Sequence, residues 1–223
     1  KPYDRSGTNY IHNPVKVVVD AYNGDVNFYL INNDEPIAKA YQKAFPGLFK
    51  EFATMPKSLQ AHIRYPVDLF AVQTKMLSAY HMTNPGVFYN REALWAQEKE
   101  IYSGDKNVLE PYYVSMRVPG SDHVEFMLIA PYTPTGKDNM IAWAGVRNDG
   151  KAYGEKILFK FPKQKLIYGP MQIEAKIDQT PEIASQLTLL DQRGSKVTRG
   201  HLYVIPIKDS LLYVEPVFIE AKN

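Results

Sequence analysis

The sequence contains no cysteine. This excludes disulfides, thiolate nucleophiles, thiolate-bound zinc and iron–sulfur clusters together, and leaves an exported location open. No apolar run approaches the roughly 18 residues that a membrane-spanning helix needs. The best apolar stretches, Phe126 to Pro131 and Met140 to Val146, have strand length. Charge of one sign is also scarce. The 26 basic and 24 acidic residues leave a formal +2, spread along 223 residues, so no nucleic-acid partner is expected. Residue 1 is Lys rather than Met, and no basic segment precedes an apolar signal core, so the chain is expected to begin inside a longer precursor.

What is present suits a folded domain. Hydrophobic residues make up 45% and charged residues 22% of the chain, and a chain of this length buries about 70% of its unfolded surface. Val15, Val17 and Val19 alternate with polar neighbours, as do Val26, Phe28 and Leu30 beyond Asn23-Gly24, which predicts a hairpin with a type I′ turn. Asp34 and Pro36 open a helix with Ile37, Ala40, Tyr41, Ala44 and Phe45 on one face, stopped by Pro46-Gly47. Pro56 and Pro66 open two more, the second with a broad apolar stripe from Leu69 to Tyr80. Asn90 is expected to cap a fourth, carrying Leu94, Trp95, Ile101 and Tyr102.

From Tyr112 the period changes to two. Strands are predicted at 112–118, 124–130, 140–147, 155–161, 197–205 and 211–219, the last pair joined by a tight turn at Lys208-Asp209-Ser210. Met171, Ile173, Ala175 and Ile177 alternate with polar residues, which favours another strand. Thr180 and Pro181 open a late helix ending at Gly194. The fold class is therefore α+β: an N-terminal β-hairpin, several short helices, then a mostly antiparallel sheet with one late helix. A single domain is expected over 1–223, divisible near 103–110 into subdomains 1–105 (hairpin plus helices) and 110–223 (sheet-rich).

Several longer motifs stand in order along the chain. They are Tyr10-Ile11-His12-Asn13-Pro14-Val15 continuing to Asn23-Gly24, Lys43-Ala44-Phe45-Pro46-Gly47-Leu48-Phe49, and His62-Ile63-Arg64-Tyr65-Pro66-Val67-Asp68. Phe88-Tyr89-Asn90-Arg91, Lys137-Asp138-Asn139-Met140, Tyr168-Gly169-Pro170-Met171-Gln172 and Asp191-Gln192-Arg193-Gly194-Ser195 follow. Together they resemble a bacterial family of uncharacterised integral-membrane proteins in which an N-terminal bundle of transmembrane helices precedes a large extracytoplasmic region. The resemblance covers nearly the whole chain. It implies that the chain is part of that extracytoplasmic region, at the cell membrane, with its own transmembrane bundle and other envelope proteins as partners and membrane association through segments absent from this chain. It supplies no catalytic residues.

Motifs of known chemistry fail on inspection. Lys137 follows Gly136 as in a phosphate-binding loop, but Pro131 and Asp138 stand where that loop needs glycine and a hydroxyl. Ser103-Gly104-Asp105-Lys106 has the spacing of penicillin-recognising serine enzymes without their Lys-Thr-Gly companion. His12, His62, His81, His123 and His201 fall in separate elements, so no metal site and no cofactor is expected. The polar groups with the best positions are Asp138 and Asn139 before an apolar strand, Arg147 at its end, and Gln192 and Arg193 after the late helix. These five are the candidate ligand or partner residues, weighed against a role as ion pairs and helix caps.

The expectation is a non-catalytic extracytoplasmic module that contacts its own membrane bundle, a partner or an envelope ligand. The alternative is an envelope lipid- or glycan-processing enzyme domain. Either way the chain should fold without metal, and thermal unfolding with and without a chelator should give the same midpoint. A large drop on metal removal would defeat this, since structural metal binding is coupled to folding.

Overall fold

A computed structural model describes residues 10–162, 164–192, 194–207 and 210–221. Backbone proximity divides the chain into two compact units, 1–69 and 70–223. Helix makes up 28% and strand 37%, an α+β composition.

In the first unit the valine alternation forms β1 (Val15–Val19) and β2 (Val26–Leu30), paired antiparallel from Val15↔Leu30 to Val19↔Val26. The connection is not a type I′ turn. The loop runs over Asp20–Asp25, Gly24 alone has positive φ (+78°), and Asp20 closes it by accepting from Gly24 N–H and donating to Asp25 O, both at 2.9 Å. Helix α1 (Pro36–Ala44) follows, capped by Glu35, whose carboxylate accepts from Ala38 N–H. The apolar stripe Ile37, Tyr41 and Phe45 is exposed rather than buried, and Ala38 is the buried residue. β3 (Phe49–Glu51) then pairs parallel to β2, giving the sheet order β1-β2-β3, and α2 (Lys57–Gln60) is a single turn.

Helix α3 (Val67–Tyr80) contains the division at Leu69. In the second unit α4 (Pro85–Asn90) is capped by Asn84, whose Oδ1 accepts from Gly86 and Val87 N–H. The expected helix beyond Asn90 does not form. Arg91 turns left-handed (φ 55°) and ends the helix, and the chain enters β4 (Trp95–Gln97) and β5 (Lys99–Tyr102). β6 (Asp105–Val108) pairs back onto β5 through Ser103-Gly104, both at positive φ (52° and 92°). The type I′ geometry expected at Asn23-Gly24 is found here.

β7 (Tyr112–Arg117) and β8 (Val124–Pro134) form the next hairpin, and β9 (Asn139–Met140) and β10 (Ala142–Arg147) follow. β7, β8 and β10 join β4 and β11 (Lys156–Lys160) in a five-stranded sheet of order β11-β10-β8-β4, with β7 also paired to β8. β8 reads as an apolar run because both its faces are covered: Met127, Leu128, Ile129, Ala130 and Tyr132 are all buried. The Tyr132 hydroxyl donates to Thr74 O, tying α3 to the sheet. Trp143, Met127, Ile129, Met116 and Tyr112 form the core.

β12 (Ile167–Tyr168) pairs with β9 and leads into α5 (Pro170–Gln179), where a strand was expected. Pro170 opens the helix, and Gln172 reaches back to accept from Gly169 N–H at 3.1 Å. The alternation misleads because Glu174, counted as a solvent position, is wholly buried. After α6 (Pro181–Leu190), a two-stranded ribbon closes the unit. Its strands β13 (Ser195–Arg199), β14 (Tyr203–Ile207), β15 (Ser210–Val214) and β16 (Val217–Ala221) pair as β13-β16 and β14-β15. Each long strand expected here is thus two, interrupted at Gly200 and Pro216, where Gly200 N–H donates to Pro216 O. The break is tight, since a Cβ on Gly200 would lie 2.7 Å from Pro216 Cγ. The turn expected at Lys208-Asp209 lies outside the described residues.

Gly24 is the position where this geometry makes a direct demand on sequence. Gly24→Val should lower stability by roughly 1–2 kcal/mol, because a β-branched residue resists positive φ. An unmoved urea midpoint would show that the loop relaxes around the substitution.

Candidate functional site

The second unit buries carboxylates that a sheet protein normally leaves in water. Glu98, Glu100 and Glu174 are 3%, 2% and 0% exposed. Glu98 and Glu100 are two residues apart along the β4–β5 segment and so project to the same side, and α5 packs against β5. Glu174 and Asp178 stand one helical turn apart on α5. Arg199, the last residue of β13, answers three acids. Its Nε and Nη2 make a fork to Glu215 at 2.6 and 2.9 Å, its Nη1 meets Asp178 Oδ1 at 2.6 Å, and its Nη2 also contacts Glu174 Oε2.

One cation does not neutralise this set. Burial first, and then Glu215, push the Glu174 carboxyl up to about 7 against the opposing pull of Arg199. Burial pushes Glu98 up to about 8; Lys99 N–H opposes it and the charge of Asp138 adds to it. Glu98 Oε1, Glu100 Oε2 and Glu174 Oε1 are buried without a hydrogen-bond partner. Gly169 admits Glu98 to its place, because a Cβ there would stand 2.6 Å from Glu98 Oε1 and 2.1 Å from Asp138 O. Among the described residues, no group of three or more histidines and acids could hold a metal ion.

Beside these acids opens a cleft of about 510 Å³ lined in part by Glu100, Tyr102, Asn107, Tyr112, His201 and Tyr203. Glu100 Oε1 and His201 Nδ1 are 2.7 Å apart, with the carboxylate buried and the imidazole half exposed. His201 stacks on Tyr102 with ring centroids 4.3 Å apart, and Tyr203 meets Tyr112 edge-on at 5.2 Å. The Tyr112 hydroxyl donates to Val204 O at 2.8 Å and accepts from Val204 N–H at 2.9 Å. Burial and the charges of Glu100 and Glu98 raise the Tyr112 phenol above its ordinary value, so it stays protonated. A smaller cavity of about 200 Å³ lies among Ile173, Ile177, Ile183 and Leu187, with Arg199 and Glu215 in its wall.

The candidates named from sequence are dispersed. Asp138 lies beside Glu98, and Asn139 begins β9 opposite Tyr168. Arg147 ends β10, at the far end of a strand segment roughly 25 Å long by its rise per residue. There it ion-pairs with Glu125 and Glu155, both at 2.9 Å. Gln192 is exposed just after α6, and Arg193 lies outside the described residues. Glu98, Glu100, Glu174, Arg199 and His201 were not singled out from sequence as a site. No local spacing joins Glu100 to His201, which are 101 residues apart.

The second unit is thus an α+β body whose buried acids border an aromatic cleft. The description "Uncharacterised protein family (UPF0182)" matches residues 2–190, and the chain belongs to that family. It is 52% identical to a UPF0182 protein of Desulforamulus reducens over 100% of this chain and 24% of that protein. UPF0182 proteins of Moorella thermoacetica (53%; 97% of this chain, 24% of theirs) and Salinibacter ruber (52%; 96% and 23%) are similarly related. The chain therefore spans about a quarter of the length of the curated relatives it matches. No solved structure matches it.

The raised Glu98 carboxyl has a consequence for stability. Between its unfolded value of 4.5 and its folded value of about 8, the folded chain holds a proton that the unfolded chain releases. Stability from this group is therefore present below 4.5 and lost as pH rises to 8. The urea midpoint should fall between pH 5 and pH 8.5, and Glu98→Gln should flatten that fall. Identical pH slopes in the two proteins would show that Glu98 carries no proton in the fold.

Proposed function

We propose that this chain is a non-catalytic extracytoplasmic module of a membrane protein, with the tyrosine-lined cleft as its surface for an envelope ligand or partner. The observation that carries the reading is the inventory of the cleft. Its described lining supplies carboxylates, an imidazole, an amide and tyrosine rings, groups that orient and hold a ligand. Two facts support the wider placement. The chain spans about a quarter of the length of its relatives, and no helix among the described residues is long and apolar enough to cross a membrane.

One observation favours a second reading, an envelope lipid- or glycan-processing enzyme domain. A buried carboxylate holding one imidazole nitrogen leaves the other nitrogen for proton transfer, as in acid–base dyads. The module reading is preferred because the family resemblance supplies no catalytic residues and the rest of the lining, tyrosine rings, an amide and a second carboxylate, suits holding a ligand.

The location is testable through the missing cysteines. Tyr22 is fully exposed in the β1–β2 loop, so Tyr22→Cys in the full-length parent protein places a single thiol on this chain. A membrane-impermeant maleimide should label that thiol in intact cells above the level of the unsubstituted parent. Labelling only after lysis would overturn the extracytoplasmic placement.

A further inference from the structure

We infer that the cleft is a receptor for an organic ammonium group, the alkylammonium or quaternary ammonium of a small amine or a lipid headgroup. The inference rests on the binding-module reading and names the chemistry of its ligand. Three independent features of the site select that charge and shape.

The first is sign. The described lining contains two carboxylates, Glu100 and Glu110, and no lysine or arginine. The arginine of the adjoining knot is engaged: Arg199 serves Glu174, Asp178 and Glu215. Among the described lining only His201, when protonated, offers Glu100 a positive charge, and a low-dielectric wall concentrates the field of the acids in the cleft. An anionic ligand is repelled there, and a cation relieves the imbalance.

The second is an unmet polar group. Glu100 is 2% exposed, one of its oxygens holds His201 Nδ1, and the other has no partner. A buried carboxylate oxygen left unpaired is costly. A cationic head in the cleft, with or without an N–H, lends its charge to that carboxyl, and Asn107 and exposed Glu110 in the lining add acceptors for an alkylammonium.

The third is the aromatic wall. Tyr102, His201, Tyr203 and Tyr112 form a continuous run of ring contacts along the cleft. His201 covers one side of Tyr102, yet Tyr102 remains 40% exposed, so much of its ring is open to a ligand. The face of a tyrosine attracts a cation, and aromatic rings beside carboxylates are the setting in which quaternary ammonium groups are held. The volume, about 510 Å³, admits an ammonium head with a short chain and lies within the usual range for small-ligand sites, roughly 300–1,000 Å³.

The test is calorimetric titration of the full chain with putrescine and with choline, beside glucose as an uncharged polyol. Co-sedimentation with phosphatidylethanolamine vesicles, against phosphatidylglycerol vesicles, reads the lipid source separately. Saturable binding of a free amine, or binding to phosphatidylethanolamine vesicles alone, supports the inference and says which source supplies the group. Glu100→Gln keeps the shape and the bond to His201 and should weaken binding about tenfold or more. Tyr102→Leu, at a half-open surface position, should weaken it several-fold and serves if the buried substitution impairs folding. Binding of glucose without either amine would overturn the ammonium assignment while leaving the module reading standing. No binding of any probe, or amine binding unchanged in both variants, would also overturn it, and the maleimide experiment judges the extracytoplasmic placement independently.

Discussion

The second unit depends on one guanidinium. Arg199 joins two carboxylates of α5 to one on the segment between β15 and β16, so helix and closing ribbon meet on a single charged group. Arginine suits the position because its planar fork offers donors in several directions at once, and its charge cannot be lost at any relevant pH. Lysine, a point charge on a flexible stem, would serve one or two of these acids and leave Glu174 uncompensated. The four-residue spacing of Glu174 and Asp178 matters equally, since it sets both acids on the helix face that meets the ribbon.

From that knot the chemistry of the cleft follows. Acids outnumber bases around α5, β5 and the ribbon, and burial makes the excess costly to ionise. Burial favours the protonated forms of Glu98, Glu174 and the Tyr112 phenol. Glu100 has a half-exposed partner, because His201 reaches it from the ribbon side. Beside the cleft the fold therefore presents the Glu100–His201 pair.

Local periodicity carried much of the architecture, and long-range charge pairing carried the rest. The first hairpin was legible because β1 and β2 alternate cleanly, but its loop type was not, because Asp20 closes a longer loop by its own backbone bonds. The segment 95–102 read as a helix from Leu94, Trp95, Ile101 and Tyr102 beyond Asn90, with Glu98 and Glu100 left out of account. Once those acids are buried, the same residues are strands. α5 was misread for the same reason in reverse, since Glu174 broke an apolar stripe that is complete only when a buried acid is counted in it. The reading of residues 138–147 as a polar-ended apolar strand matches β9 and β10, yet Arg147 is occupied by Glu125 and Glu155. Partners for a buried charge are chosen across a hundred residues, and no window along the chain displays that choice.

The double bond of the Tyr112 hydroxyl to Val204 also bears on how the chain avoids its own kind. In the β14–β15 ladder, paired from Ile207↔Ser210, the alternation of an antiparallel pair turns Val204 and Pro206 toward the outer edge of β14. Such an edge is a template on which another chain can add a strand. Here the phenol occupies both backbone groups of Val204, and Pro206 has no N–H to offer. A tyrosine that belongs to the core thus doubles as a seal against strand addition, closing β14 to self-assembly without spending a surface lysine on it.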